Sequence, residues 1–257
     1  MFKANTLKRK LLAGGRVLGC WTTLGHPQIA EILALAGFDF LLLDQEHGVG
    51  DPSALVGILQ AISATPTTSV VRIPSNDPVY LKRVLDMGAE SVMIPNVESA
   101  DEARAAVAAC RYPPRGRRGS AIGSARASNY GMAANYRSEA DDNILIVGQI
   151  ESARAVDAID EIAAVEGLDV LFIGPHDLSG TIGHLGDLKH PDVVELIARA
   201  EAGIRRSGKP MGTVPHPGVG WADMFKRGYH FVNAGSDVSR LRDQALADVK
   251  TFRGMTF

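Results

Sequence analysis

Short, almost unbroken apolar runs recur along this chain, and each is followed by a stretch with helical spacing. Two of them set the pattern, Ile144–Glu151 (ILIVGQIE) and Val170–Ser179 (VLFIGPHDLS). A strand that is apolar at successive positions, not at alternate ones, is buried on both faces, as in a parallel sheet covered by helices. In chain order, strands are predicted at 17–24, 38–43, 69–73, 91–94, 144–150, 169–173, 210–214 and 230–234. An opening amphipathic helix precedes them, and helices are predicted at 27–37, 51–64, 78–88, 99–110, 153–165, 191–207, 218–227 and 239–252. A long connection over 111–143 and a loop through Gly183–His190 complete the chain. Strict strand–helix alternation implies parallel strands, and eight such units in 257 residues predict one (β/α)8 TIM-barrel domain over 1–257. A doubly wound open sheet would carry a nucleotide fingerprint after its first strand, and Trp21–Gly25 (WTTLG) is not one.

Composition narrows the partners. A net charge of −2, with no basic excess, argues against nucleic acid. Two cysteines, Cys20 and Cys110, do not make a secreted disulfide scaffold. No apolar run reaches membrane-spanning length, and the start lacks the apolar core of a signal peptide. The expectation is a reduced, cytoplasmic protein without a membrane partner.

In such a barrel the chemistry lies at the C-terminal ends of the strands. Those ends hold Trp21, Asp44, Glu46, His47, Arg72, Gln149, Glu151, Asp177, Asn233 and Ser236. Glu151 and Asp177 end neighbouring runs, so two acids would meet at one rim and repel unless a cation lay between them. With no Cys and no clustered His among them, they suit Mg²⁺ or Mn²⁺ better than Zn²⁺. Both also suit N-terminal caps of the helices that follow. His47, beside Asp44 and Glu46, is an acid–base candidate or a hydrogen-bonded loop histidine. Arg72 points either into the helix layer, where it would be desolvated, or into the barrel mouth, where its fork could grip a carboxylate or an enolate oxygen. No lysine lies at a strand end where a Schiff base would need one, so carbanion chemistry requires the metal as electron sink. The arginines of the long connection (Arg111, Arg115, Arg117, Arg118, Arg126) suit a phosphate or an acidic substrate tail, or a subunit contact.

Five stretches resemble motifs of the HpcH/HpaI aldolase family: 38–47 (FDFLLLDQEH), 71–74 (VRIP), 111–119 (RYPPRGRRG), 149–152 (QIES) and 172–179 (FIGPHDLS). The family is one of class II, metal-dependent pyruvate aldolases acting on 2-keto-3-deoxy sugar acids and 4-hydroxy-2-oxo diacids. The resemblance implies that Glu151 and Asp177 bind the divalent cation (Mg²⁺ or Mn²⁺, with Co²⁺ a further option). It implies that Arg72 stabilises the enolate oxygen, that Gln149 orients the ligand, and that His47, paired with Asp44, handles the proton. The backbone of Gly174, Pro175 and His176 would hold the pyruvate carboxylate, and Trp21 would wall the pocket. It further implies a homo-hexamer, a trimer of dimers with exchanged C-terminal helices, in which Asp86 approaches a neighbour's site. His176, Asn233 and Val214–Gly218 depart from the family pattern on the aldehyde-accepting side and bear on substrate choice. An acyl-CoA (citramalyl or malyl) lyase on the same scaffold would need the arginine-rich connection for the CoA phosphates. A metabolite-binding barrel without activity is the other alternative.

Overall fold

The computed structural model describes residues 2–216 and 218–255. Eight parallel strands close in sequence order: β1 (Val17–Thr22), β2 (Phe40–Asp44), β3 (Thr68–Arg72), β4 (Ser91–Ile94), β5 (Leu145–Ile150), β6 (Val170–Ile173), β7 (Met211–Thr213) and β8 (Phe231–Ser236). Their side chains alternate between two cores. Val17, Phe40, Leu42, Val70, Met93, Leu145, Val147, Val170, Phe172 and Phe231 fill the interior, whereas Leu41, Leu43, Val71, Val92, Ile146, Leu171 and Val232 meet the helices. The two-faced burial is why these strands lack hydrophobic–polar alternation in sequence. Phe40 stacks on Phe231 at 4.0 Å between ring centroids, and Gly19 makes room for them, since a Cβ there would run into the Phe40 ring.

The opening helix α1 (Thr6–Leu12) closes the bottom of the barrel with Leu7 and Leu11. The outer helices begin as the sequence predicts. For α2 (Pro27–Leu35), α3 (Pro52–Ser63) and α4 (Pro78–Asp86), proline opens the first turn behind a side-chain cap from His26, Asp51 or Asp77. α5 (Ala100–Cys110) is capped by Ser99.

Three segments differ from expectation. The 111–143 connection is not all loop: it holds a 3-10 turn (Arg126–Ser128) and α6 (Tyr136–Asn143), whose polar sequence gives little periodic signal. The helix predicted at 153–165 is two, α7 (Ala153–Asp157) and α8 (Ile159–Ala163). After β6 the chain enters α9 (Pro175–Thr181) directly, so Asp177 belongs to the first turn of a helix.

The chain then follows α10 (Pro191–Ser207), α11 (Trp221–Lys226) and α12 (Asp237–Arg253). Ser236 and Ser239 form a capping box at the start of α12, and the buried carboxylate of Asp237 takes the backbone N–H groups of Thr23 and Leu24. Beyond that anchor the helix leaves the barrel, with Leu241 67%, Leu246 61% and Val249 45% exposed. Among the described residues, no helix is long and apolar enough to cross a membrane.

Candidate active site

β2 and β3 pair so that their last residues, Asp44 and Arg72, are register neighbours at the C-terminal rim. Val70 lies in the interior core and Val71 in the outer one, so the two-residue repeat turns Arg72 inward. Its Nε and Nη2 donate to the two oxygens of Asp44 at 2.9 and 2.6 Å, and Nη1 reaches Glu46 Oε2 at 2.9 Å. Trp21 Nε1 donates to Asp44 at 3.0 Å, and the guanidinium lies 4.5 Å over the indole ring. Further N–H donors on Nη1 and Nη2 are left for a ligand. Burial pushes the Asp44 carboxyl up, but Arg72, Trp21 and the Glu46 N–H outweigh it and hold the group below the usual carboxylate range.

Asp44 also meets His47, though not in the expected way. Its Oδ1 accepts the main-chain N–H groups of Glu46 (3.0 Å) and His47 (3.2 Å), folding the turn around the carboxylate. The imidazole is exposed at the rim, so Asp44 positions the backbone and Arg72 and does not orient the ring. Burial leaves the Glu46 carboxyl above the usual carboxylate range, against the pull of Arg72 and His47.

Glu151 follows β5 and is 3% exposed. Asn96 donates its backbone N–H to Oε1 at 2.8 Å and Gln149 its side-chain N–H to Oε2 at 3.0 Å. The carboxyl is pushed up to about 7, first by burial and then by Asp177 and Glu46, against the pull of the Asn96 N–H and Arg72. Asp177 stands at the same end of the barrel on α9, with its side chain exposed. Neither acid serves as a cap: Ser152 caps α7, and α9 starts at Gly174 without a side-chain cap.

The profile of the HpcH/HpaI aldolase/citrate lyase family matches residues 17–244. This chain belongs to that family. A relative, the 5-keto-4-deoxy-D-glucarate aldolase of Salmonella paratyphi A (strain ATCC 9150 / SARB42), is 43% identical over 246 residues, 95% of this chain and 96% of the relative. Among solved structures, an HpcH/HpaI aldolase/citrate lyase family protein from Burkholderia cenocepacia J2315 superposes with a TM-score of 0.91 at 37% identity, covering 97% of this chain and 100% of that one. The HpcH/HpaI aldolase of Desulfitobacterium hafniense DCB-2 gives a TM-score of 0.88 at 33% identity, covering 98% of both chains. The protein is an aldolase, a carbon–carbon lyase, of a metal-dependent family.

The rim of this HpcH/HpaI aldolase fits a divalent cation. The groups that would hold it are the carboxylates of Glu151 and Asp177, oxygen donors of the kind a hard ion takes. Beside them the amide Oε1 of Gln149 is buried without a partner. The close approach of α9 to β5 shapes this corner: a Cβ on Gly174 would lie 2.7 Å from Glu151 Oε2 and 2.9 Å from its Cβ. Gly174→Ala is therefore expected to lower metal affinity at least tenfold, roughly the cost of disturbing a ligand's supports, with an unchanged circular dichroism spectrum. Unaltered Mn²⁺ affinity in a calorimetric titration would contradict this.

Other predicted residues lie elsewhere. Asp86 ends α4 at the opposite end of the barrel, where it accepts from Arg118 at 2.7 Å. The arginine-rich connection is engaged there too: Arg118 also meets the Tyr136 hydroxyl, Arg115 pairs with Asp142, and Arg126 donates to the Met87 carbonyl. Among the described residues these three arginines sit away from the rim and do not form a phosphate site beside Glu151 and Arg72. His176 is exposed on the second position of α9, and Asn233 is fully buried in β8 with neither amide atom partnered. Val214 packs against the interior core, while Pro217 lies outside the described residues.

Glu46, one of the strand-end acids, has a role that the sequence does not give, as the second acid on Arg72, and Asn96 is a contributor that the sequence reading misses. Asn96 supplies its backbone N–H from a left-handed conformation (φ 48°). Its one signal was an asparagine directly after the strand-ending Pro95.

Proposed function

We propose that this aldolase cleaves a 4-hydroxy-2-oxo acid to pyruvate and an aldehyde in the cytoplasm, and runs the reverse addition. Glu151 and Asp177 would hold Mg²⁺ or Mn²⁺, with Co²⁺ a further option. 5-Keto-4-deoxy-D-glucarate, the compound in the name of the Salmonella relative, is the first substrate to test. The charge at the rim carries the reading: Asp44, Glu46, Glu151 and Asp177 are set against the guanidinium of Arg72, and Glu151 is pushed up to about 7. When bound, the cation neutralises this excess and polarises the 2-oxo acid as a Lewis acid.

The chain's own residues divide the remaining work. His47, exposed at the rim, takes the proton of the 4-hydroxyl as the C3–C4 bond breaks. The spare N–H groups of Arg72, oriented by Asp44 and Glu46, hydrogen-bond the C2 oxygen as negative charge gathers there. The partnerless Oε1 of Gln149 helps orient the ligand, Trp21 walls the pocket, and the turn Gly174–Pro175–His176 receives the carboxylate. Pyruvate release, followed by reduction with lactate dehydrogenase, should stop on exhaustive chelation and return with Mg²⁺ or Mn²⁺. Turnover that survives chelation would overturn the reading.

A homo-oligomer, a hexamer built as a trimer of dimers, is part of the same proposal. The apolar side chains that α12 exposes, Leu241, Leu246 and Val249, support it, and Asp86 would then lie near a neighbour's site. Leu241→Ser with Leu246→Ser should reduce the mass measured by light scattering. An unchanged mass would count against an exchanged helix.

A further inference from the structure

A second group of ligand-type side chains meets where α9 leads into α10. His184 in the connecting loop and His190, the N-cap of α10, stack with ring centroids 3.5 Å apart and planes 17° from parallel. Oδ2 of Asp192 lies 3.8 Å from His184 Nε2 and 3.8 Å from His190 Nδ1. One ligand atom from each of the three residues falls within 4.8 Å of the other two. We propose that His184, His190 and Asp192 form a second metal site, for Zn²⁺ or a related late transition ion, independent of Glu151 and Asp177.

The backbone holds the imidazoles in place. His184 N donates to Ser179 O at 2.9 Å and Gly186 N to Ser179 Oγ at 3.0 Å; Asp187 N returns to His184 O, and His190 N to Asp187 O. The turn relies on left-handed Gly183 and Gly186, at φ 82° and 81°. Nδ1 of His190 accepts the Asp192 N–H at 3.3 Å, so this nitrogen carries the lone pair that an ion requires, and the bond it would exchange is a long one. Zinc–nitrogen bonds of roughly 2.0–2.1 Å put tetrahedral ligand atoms ~3.4 Å apart. Ring-nitrogen lone pairs lie in the ring planes, so binding one ion turns one imidazole out of the stack while Asp192, 69% exposed, closes in from 3.8 Å. Both imidazoles are 31% exposed, which lets an ion enter and leaves room for water to complete its shell.

Two imidazoles and one carboxylate favour Zn²⁺ over Mg²⁺, the reverse of the preference at the all-oxygen rim. The two sites therefore separate by metal type. The histidine turn is bonded to Ser179, two residues beyond Asp177 on α9, so an ion there would tie this helix to the start of α10.

The test uses the full chain carrying Glu151→Gln, which disables the rim, in excess Mg²⁺. Calorimetric titration with Zn²⁺ should show one equivalent bound, with a rise in melting temperature. Adding His184→Ala, or His190→Asn, which keeps a capping side chain, should abolish both effects. No Zn²⁺ uptake by the Glu151→Gln chain, or uptake unchanged by both histidine substitutions, would overturn the site. In the otherwise native chain the same substitutions should leave Mg²⁺-supported pyruvate release intact, which checks their folding and keeps this test separate from the rim chemistry.

Discussion

Replacing Glu151 by glutamine is expected to abolish pyruvate release while raising the melting temperature of the metal-free protein at neutral pH. The carboxyl is 3% exposed and is pushed from an ordinary 4.5 up to about 7, by burial first and by Asp177 and Glu46 after it. An acid raised in this way keeps a proton in the folded state that the unfolded chain gives up. Its contribution to stability is therefore intact below about pH 4.5 and declines as the pH rises toward 7. For a shift of that size the loss is on the order of 3 kcal/mol, enough to move the melting temperature by several degrees.

Glutamine cannot ionise, and its hydrogen bonds can be met. Its Oε1 can accept the Asn96 N–H, and its amide N–H can be taken by Gln149 Oε1 once that amide turns over, since its Nε2 is the group that now donates to Glu151 Oε2. Calorimetric scans between pH 5 and 8 without divalent metal should show the native chain losing stability where the variant does not. Mg²⁺ or Mn²⁺ should then stabilise the native chain and leave the variant unchanged. Equal pH dependence in both would remove Glu151 as the source.

Arg72→Lys, a substitution that conserves charge, is expected to cost ~10²-fold or more in kcat. An ammonium cannot present a planar fork to both oxygens of Asp44, reach Glu46, and still offer oriented donors to a substrate oxygen. Arg72→Ala goes further, leaving the buried Asp44 with only Trp21 and backbone donors, at a stability cost of ~3–5 kcal/mol. Asp44 also sets the acid limb. Because its folded-state pKa is depressed, the stability it contributes is present above the ordinary carboxylate value and is lost as the pH falls through the lower one. Arg72→Ala should therefore unfold at a higher pH than the native chain in an acid titration followed by circular dichroism. Native turnover by Arg72→Lys would remove the guanidinium from the mechanism.

The readable parts of the sequence were those governed by local rules. Pro27, Pro52 and Pro78 marked helix starts because proline suits the first turn and little else inside a helix. The polar helix α6 and the one-turn advance into α9 were not readable. The first has no apolar stripe, and the second begins in a Gly-Pro pair that looks like a loop. Among the site residues, the inward turn of Arg72 followed from strand periodicity once Val70 was seen to face the interior. The partners of Asp44 did not follow, since adjacency to His47 in sequence says nothing of whether ring or backbone meets the carboxylate.

Taken alone, the order of residues determined that eight doubly buried strands alternate with helices, and hence that Asp44, Arg72, Glu151 and Asp177 share one rim. That follows from hydrophobic burial, which on strands covered on both faces writes continuous apolar runs into the order of residues, each ending at the same rim. Only the folded chain decided that Asp44 serves Arg72, that Glu46 joins them, that Asn96 reaches Glu151, and that His184 and His190 stack beside Asp192. These are contacts between groups far apart in sequence or turned by a single backbone angle. Hydrogen bonds and ion pairs depend on ångström distances and direction, which no local pattern encodes.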